Sequence, residues 1–450
     1  MSRLRLLDQS RDLCGWAFAL AAAGLPLALL AVHLDLGHRG DVRFFYDWYL
    51  AFRQGAGFYR DGPGLNYPIL GVLAACGPAW CIEKLAGEGA LSFEAFWQVH
   101  KVFLSLCEIG LVLALAGLGR SLQAEPGSGL RRPRLMALGL YLLPATWAGG
   151  AWFGQTDVWT GLWLALGAWG GLRFAQRPRS AGWLALSLTG FHGALLSKQL
   201  AVFSLPAIAI AAGVGLARAF RQDGPARGAV LAGACALSFG AFFAADPLVD
   251  LPAGFHSHLA FIWLGGGSAH ADVLSGGGAS IWALLCADPA APATAPLLGG
   301  LSAKAIGLGL YGLVMLAALA WLILRLRRGQ GFVSGLLVFA GLSNLAMAVL
   351  LTGVHERYLY HGVPFLLLGL HGLARRDALT RSLRWTAWAV CGWSGLFVLG
   401  SIHWEAFSGP LVLFRSHIPI GIVELGLLAG LLAWMWMPEE VADDREAQAG

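Results

Sequence analysis

"KAIGLGLYGLVMLAALAWLILRLRRGQGFVSGLLVFAGLSNLAMAVLLTGVHERYLYHGVPFLLLGLHGLARR", residues 304–376, alternates three apolar runs with two kinds of interruption. Arg325, Arg327 and Arg328 follow the first run, His355, Glu356 and Arg357 the second, and Arg375 and Arg376 the third. A bilayer core about 30 Å thick is crossed by roughly 20 apolar residues in a helix. The stretch therefore predicts membrane helices near 304–324, 331–352 and 358–374. Arginines collect on the cytoplasmic side of such helices. The first and third interruptions are then cytoplasmic, and 355–357 faces the opposite side.

The same reading extends over the whole chain. Its 450 residues are 57% hydrophobic and 13% charged, with a mean hydropathy of +0.64, which excludes a soluble domain with a polar surface. The fold class predicted is an all-α polytopic membrane protein of about twelve helices. The other nine lie near 14–34, 99–118, 135–152, 157–173, 181–197, 199–217, 229–245, 385–403 and 417–437. The 62 glycines suit close helix packing in lipid. Arginine clusters at 3–11, 120–134, 173–179, 218–227, 325–328 and 375–384 all become cytoplasmic if the run at 68–84, with its two prolines, is re-entrant or interfacial. A net charge of +5 spread over these clusters reads as orientation signals, so no nucleic-acid partner is expected. Seven cysteines without a CxxC pair read as small membrane hydrophobes. One domain, 1–437, is expected, followed by an acidic, disordered tail at 438–450.

Parity then sends every unusual polar stretch to one non-cytoplasmic face: the first outer loop 35–98, the turn 153–157, the break at 197–199, the glycine-rich loop 246–303, the break at 353–357 and the loop 404–416. In the first loop, Asp41 opens an amphipathic segment and is either a helix cap or a general base at the membrane boundary. Gln155 and Asp157, flanked by Trp152 and Trp159, either satisfy turn amides or bind sugar hydroxyls. Lys198, beside Gln199, either snorkels or meets a permanent anion such as a phosphate. At 355–357, Arg357 offers a fork of donors for phosphate oxygens, His355 another donor and Glu356 an orienting carboxylate, with Tyr358, Tyr360 and His361 extending the mouth. His256 and His258 lack a third ligand at metal spacing. The GGG runs at 265–267 and 276–278 suggest a lid, and no phosphate-binding loop supports ATP-driven transport.

In this order, Asp41, Tyr67-Pro68, Gly154-Gln155-x-Asp157, Lys198-Gln199 and His355-Glu356-Arg357-Tyr358 resemble the membrane glycosyltransferases of the GT-C fold. The likeness is to bacterial hexosyltransferases and to dolichyl-phosphate-glucose glucosyltransferases, over residues 14 to 375. It implies a polyprenyl-phosphate-linked hexose, mannose or glucose, as donor and a glycan, lipid or protein acceptor. It also implies an extracytoplasmic site, expected here in a bacterial inner membrane. Asp41 is then the base, with Asp47 a weaker candidate. Lys198, His355 and Arg357 hold the donor phosphate, and Tyr67, Gln155, Asp157, Gln199, Glu356 and Tyr358 support the site or bind sugar. No cofactor is implied. Asp41, Asp47 and Asp61 could gather a divalent ion, but the basic residues make one unnecessary. Two departures stand out: Tyr67-Pro68-Ile69 replaces Tyr-Pro-Pro, and Gly278-Ala279-Ser280-Ile281-Trp282 lacks two asparagines of the family element. A lipid-linked-sugar flippase, a non-catalytic assembly partner and a ligase that moves a whole glycan are the rival readings.

Overall fold

The computed structural model describes residues 2–35, 37, 39–55, 67–87, 89–125, 128–245, 272–286, 288–355, 357–373, 377–402 and 416–437. The chain is helical nearly throughout. In order run α1 (Ser2–His33), α2 (Arg39–Arg53), α3 (Ile69–Ala86), α4 (Phe93–Gln123), α5 (Pro133–Leu142), α6 (Pro144–Trp147), a π turn (Ala148–Trp152), α7 (Asp157–Gln176) and α8 (Ala181–Leu195). There follow a 3₁₀ turn (Gln199–Phe203), α9 (Leu205–Asp223), α10 (Pro225–Ala245), α11 (Ile281–Leu285) and α12 (Ala303–Arg327). After α13 (Phe332–Leu350) come a second 3₁₀ turn (Tyr358–His361), α14 (Val363–Gly372), α15 (Ala378–Ile402) and α16 (His417–Trp436). Strands β1 (Pro296–Leu298) and β2 (Leu301–Ser302) form one antiparallel pair just before α12.

Seven described helices are long and apolar enough to cross a membrane, so the chain is a multi-helix membrane protein. The expectation of about twelve spans is not reached by that measure, and the shortfall is instructive. Helix 135–152 is broken into α5, α6 and the π turn, because Pro144 cannot continue the α5 hydrogen-bond ladder. Helix 199–217 starts instead as a 3₁₀ turn and becomes α-helical only at Leu205. Helix 358–374 likewise begins as a 3₁₀ turn, and α14 has only 10 residues. The run 68–84, expected as re-entrant or interfacial, forms the continuous helix α3 with Pro78 inside it, and it is among the seven. Prolines are tolerated in membrane helices where neighbours satisfy the freed backbone groups.

Packing follows from the glycines and from one buried helix. Every residue of α13 after Phe332 is buried, which makes it the axis of the bundle. A Cβ on Gly190 of α8 would lie 2.3 Å from the Gly167 backbone nitrogen of α7, so these two helices meet backbone to backbone, as small residues permit. A second core joins α2, α3 and the start of α4 through Phe45, Trp48, Tyr49, Tyr67, Phe96 and Trp97. On α2, Val42, Phe45, Tyr46 and Tyr49 recur at helical spacing and are buried, matching the amphipathic segment expected there. The two ends of the bundle differ. One carries the helix breaks at 148–157, 195–199 and 350–358. At the other, Arg227 donates to the Arg179 carbonyl, Arg218 to that of Ala175, and Arg384 to those of Leu370 and Leu373.

Candidate active site

Three helix breaks converge at one end, and each has a local cause. In "AGGAWFGQTD", residues 148–157, Gly150 leaves helical geometry (φ −99°, ψ −117°) and Gly154 takes a left-handed φ of 88°. A Cβ at Gly154 would stand 2.6 Å from Val42 Cγ2 of α2, so glycine alone lets the turn close onto that helix. Between α8 and the following 3₁₀ turn, Lys198 is extended (φ −159°, ψ 141°). The Leu196 carbonyl left by that break accepts from Leu70 N (2.8 Å) and Gly71 N (3.2 Å), the first amides of α3. Past α13, Gly353 turns the chain at φ 69°, and Val354 O accepts from Gly276 N (3.0 Å) and Gly278 N (2.8 Å) of the glycine-rich loop.

These breaks place one polar chain across the mouth. Gln155 donates through Nε2 to Asp41 Oδ2, and its Oε1 accepts from the Tyr67 hydroxyl at 2.9 Å. Arg357 lies between the two carboxylates, its Nη2 3.9 Å from Asp41 Oδ2 and its Nε 3.8 Å from Asp157 Oδ2. It also hydrogen-bonds Tyr67, and its guanidinium covers the Phe153 ring at 4.8 Å. Deeper, Lys198 Nζ donates to both Asp157 oxygens at 2.8 Å, and His361 Nε2 stands 3.1 Å from Oδ1. Burial, then the Asp157 charge, pushes the Tyr67 phenol above its ordinary range, so it stays a donor.

Exposure sorts the roles. The Asp157 side chain is wholly enclosed and that of Lys198 is 5% exposed, whereas Arg357 is 12% exposed and Asp41 31%. The inner pair is enclosed, and the outer carboxylate and guanidinium are the more exposed groups of that polar chain. Lys198, expected beside a donor phosphate, already spends its charge on Asp157. The His355 ring packs edge-on to Tyr358 at 5.1 Å, and a Cβ on Gly276 would lie 3.1 Å from it. Asp47 is held 3.4 Å from Arg43 one turn earlier on α2. Gln199 is half-buried at the start of its 3₁₀ turn, and Tyr358 is half-buried beside the mouth. Trp282 donates to Leu350 O at 2.8 Å, tying the glycine-rich loop to the end of α13. Glu356, Asp61, His256, His258 and the 246–271 part of the expected lid loop 246–303 lie outside the described residues, as do residues 404–415 and the tail at 438–450. Among the described residues there is no group of three or more His, Cys, Asp or Glu side chains that could hold a metal.

One supporting layer was not singled out from sequence. On α4, Lys101 donates to Trp152 O (2.6 Å), and His100 Nε2 lies 2.9 Å from Gly154 O. Glu108 accepts from Ala151 N (3.0 Å) and from the Tyr141 hydroxyl (2.6 Å). All three α4 side chains are buried, and they satisfy backbone groups that the broken 148–157 segment sets free. The signal was present: Lys101 and Glu108 are seven residues apart, on one face of an apolar helix, where ionisable groups are costly and mark a function.

No known protein family and no curated protein matches the chain. Among solved structures, it is similar to the Archaeoglobus fulgidus oligosaccharyltransferase tethered through a disulfide bond to an acceptor peptide containing the NVT sequon. The identity is 14% and the TM-score 0.40, and the match covers 96% of this chain and 58% of that one.

Proposed function

We propose that this protein is a membrane glycosyltransferase of GT-C type, moving one hexose from a polyprenyl-phosphate carrier to a glycan, lipid or protein acceptor at the extracytoplasmic face. The observation that carries the reading is the meeting of a partly exposed carboxylate and a partly exposed guanidinium in one mouth, Asp41 Oδ2 and Arg357 Nη2 being 3.9 Å apart. Direct transfer needs both groups. Asp41 takes the proton of the acceptor hydroxyl as its oxygen bonds to the anomeric carbon. The bond from that carbon to the phosphate oxygen breaks, and the electron pair leaves with the carrier phosphate, whose growing charge Arg357 stabilises. A single in-line displacement inverts the anomeric configuration. Asp157, Lys198 and His361 hold Arg357 in place, and Gln155 and Tyr67 fix the Asp41 carboxylate.

The test is donor binding by the full chain in lipid nanodiscs, with short-chain polyprenyl-phosphate-mannose, polyprenyl-phosphate-glucose and a nucleotide sugar as titrants. Saturable binding of one carrier-linked sugar, weakened by Arg357→Ala and kept by Asp41→Asn, is expected. Failure of both carriers to bind, or equal binding by Arg357→Ala, refutes the assignment.

A further inference from the structure

At the arginine-bearing end of the bundle, away from the candidate active site, a cleft of about 500 Å³ opens between the C-terminal ends of α7, α9 and α12 and the start of α13. Arg173, Arg177 and Arg218 line it, with Gln176 and Gln330. Arg173 is 16 residues beyond Asp157 on the same helix, which at about 1.5 Å per residue puts the cleft roughly 24 Å from the mouth. It is a separate site, of ordinary small-ligand size.

Its charge is unbalanced. Among the described residues, none of these three arginines has a carboxylate within ion-pairing distance, and the Arg177 and Arg120 charges act repulsively on Arg173. The Nε of Arg173 is buried with no hydrogen-bond partner among the described residues. Arg218 uses Nη1 on the Ala175 carbonyl (2.7 Å), and Arg173 uses Nη1 on Gln176 Oε1 (3.4 Å). One carboxylate lines the cleft, Glu125, and both its oxygens are engaged by the first turn of α13: Oε1 accepts from Val333 N (2.7 Å), Oε2 from Ser334 N (3.3 Å) and Ser334 Oγ (2.8 Å). Glu125 thus serves the helix terminus and forms an ion pair with none of the three arginines, leaving positive charge in excess along the cleft.

We propose that this cleft binds a phosphate group. Three guanidinium forks around one cavity, that of Arg173 with a buried Nε–H left over, suit tetrahedral phosphate oxygens. Two sources share that chemistry: the head group of an anionic phospholipid, as basic pockets between membrane helices on the cytoplasmic side take, and a free inorganic phosphate.

Two arms separate the sources. In the first, the full chain is exchanged into phosphatidylcholine nanodiscs carrying increasing phosphatidylglycerol, and the lipid retained after extraction is counted by native mass spectrometry. In the second, inorganic phosphate and pyrophosphate are titrated against the unfolding midpoint in neutral detergent. Arg177→Gln, at an exposed position that folding tolerates, is compared with Arg173→Lys and with the remote Arg381→Gln as control. Saturable lipid retention that weakens at least tenfold in Arg177→Gln, partly in Arg173→Lys and not in Arg381→Gln establishes a lipid phosphate. The same pattern in the soluble arm establishes free phosphate. No saturable binding in either arm, or an equal loss in Arg381→Gln, overturns the proposal.

Discussion

Replacing Lys198 by methionine tests the inner anchor most directly. The substitution keeps an unbranched side chain of similar volume and removes the ammonium, its charge and its N–H donors together. Asp157 is fully enclosed, and Lys198 makes 2.8 Å contacts with both of its oxygens. What remains is His361 at 3.1 Å and Arg357 at 3.8 Å. Removing one partner of a buried pair costs about 3–5 kcal/mol, because the other charge is left buried without its counterion. Replacing both by apolar residues is often neutral, so Lys198→Met with Asp157→Leu should be less destabilised than Lys198→Met alone. The assay is equilibrium unfolding in mixed micelles, followed by tryptophan fluorescence, of the wild type, both single variants and the double. Costs that simply add would show that the two residues do not act as a pair. A Lys198→Met variant as stable as the wild type, but unable to bind donor, would return Lys198 to the phosphate and refute the anchor.

Further outcomes follow from the same contacts. Asp41→Asn should lower transfer by about 10² to 10⁴ while leaving donor affinity intact, measured as single-turnover rate against binding. Glu108→Leu strands the Ala151 amide and the Tyr141 hydroxyl inside the bundle and should cost about 1–3 kcal/mol each, read by the same unfolding assay. Gly154→Ala should impair both stability and transfer, since a Cβ there meets Val42 in a left-handed turn; equal activity would show that the turn relaxes. Because the folded-state pKa of Tyr67 is raised, its contribution to stability is complete below about pH 10 and is lost as pH rises toward the folded value. Tyr67→Phe should therefore lessen the alkaline loss of stability, measured between about pH 8 and pH 11.

The division between sequence and tertiary structure runs along the polar residues. Composition and apolar run length by themselves determined a membrane protein built of helices, since hydrophobic content on this scale has no other folded outcome. The amphipathic helix after Asp41 was legible because Val42, Phe45, Tyr46 and Tyr49 repeat at helical spacing. Lys198, Gln155, Asp157 and Arg357 were conspicuous as rare polar groups between apolar runs, and Tyr67 entered through a motif. Tertiary structure decided what each one touches. Lys198 and Asp157 are 41 residues apart, and Asp41 and Gln155 are 114 apart, so no local pattern could join them. The same holds for His355, whose ring packs against Tyr358 and the glycine-rich loop. Helix breaks at Gly150, Leu196 and Gly353 turn these segments toward one another. In lipid such breaks persist only where side chains on other helices satisfy the exposed backbone, a condition met by Lys101, His100 and Glu108 on α4 and by the first amides of α3.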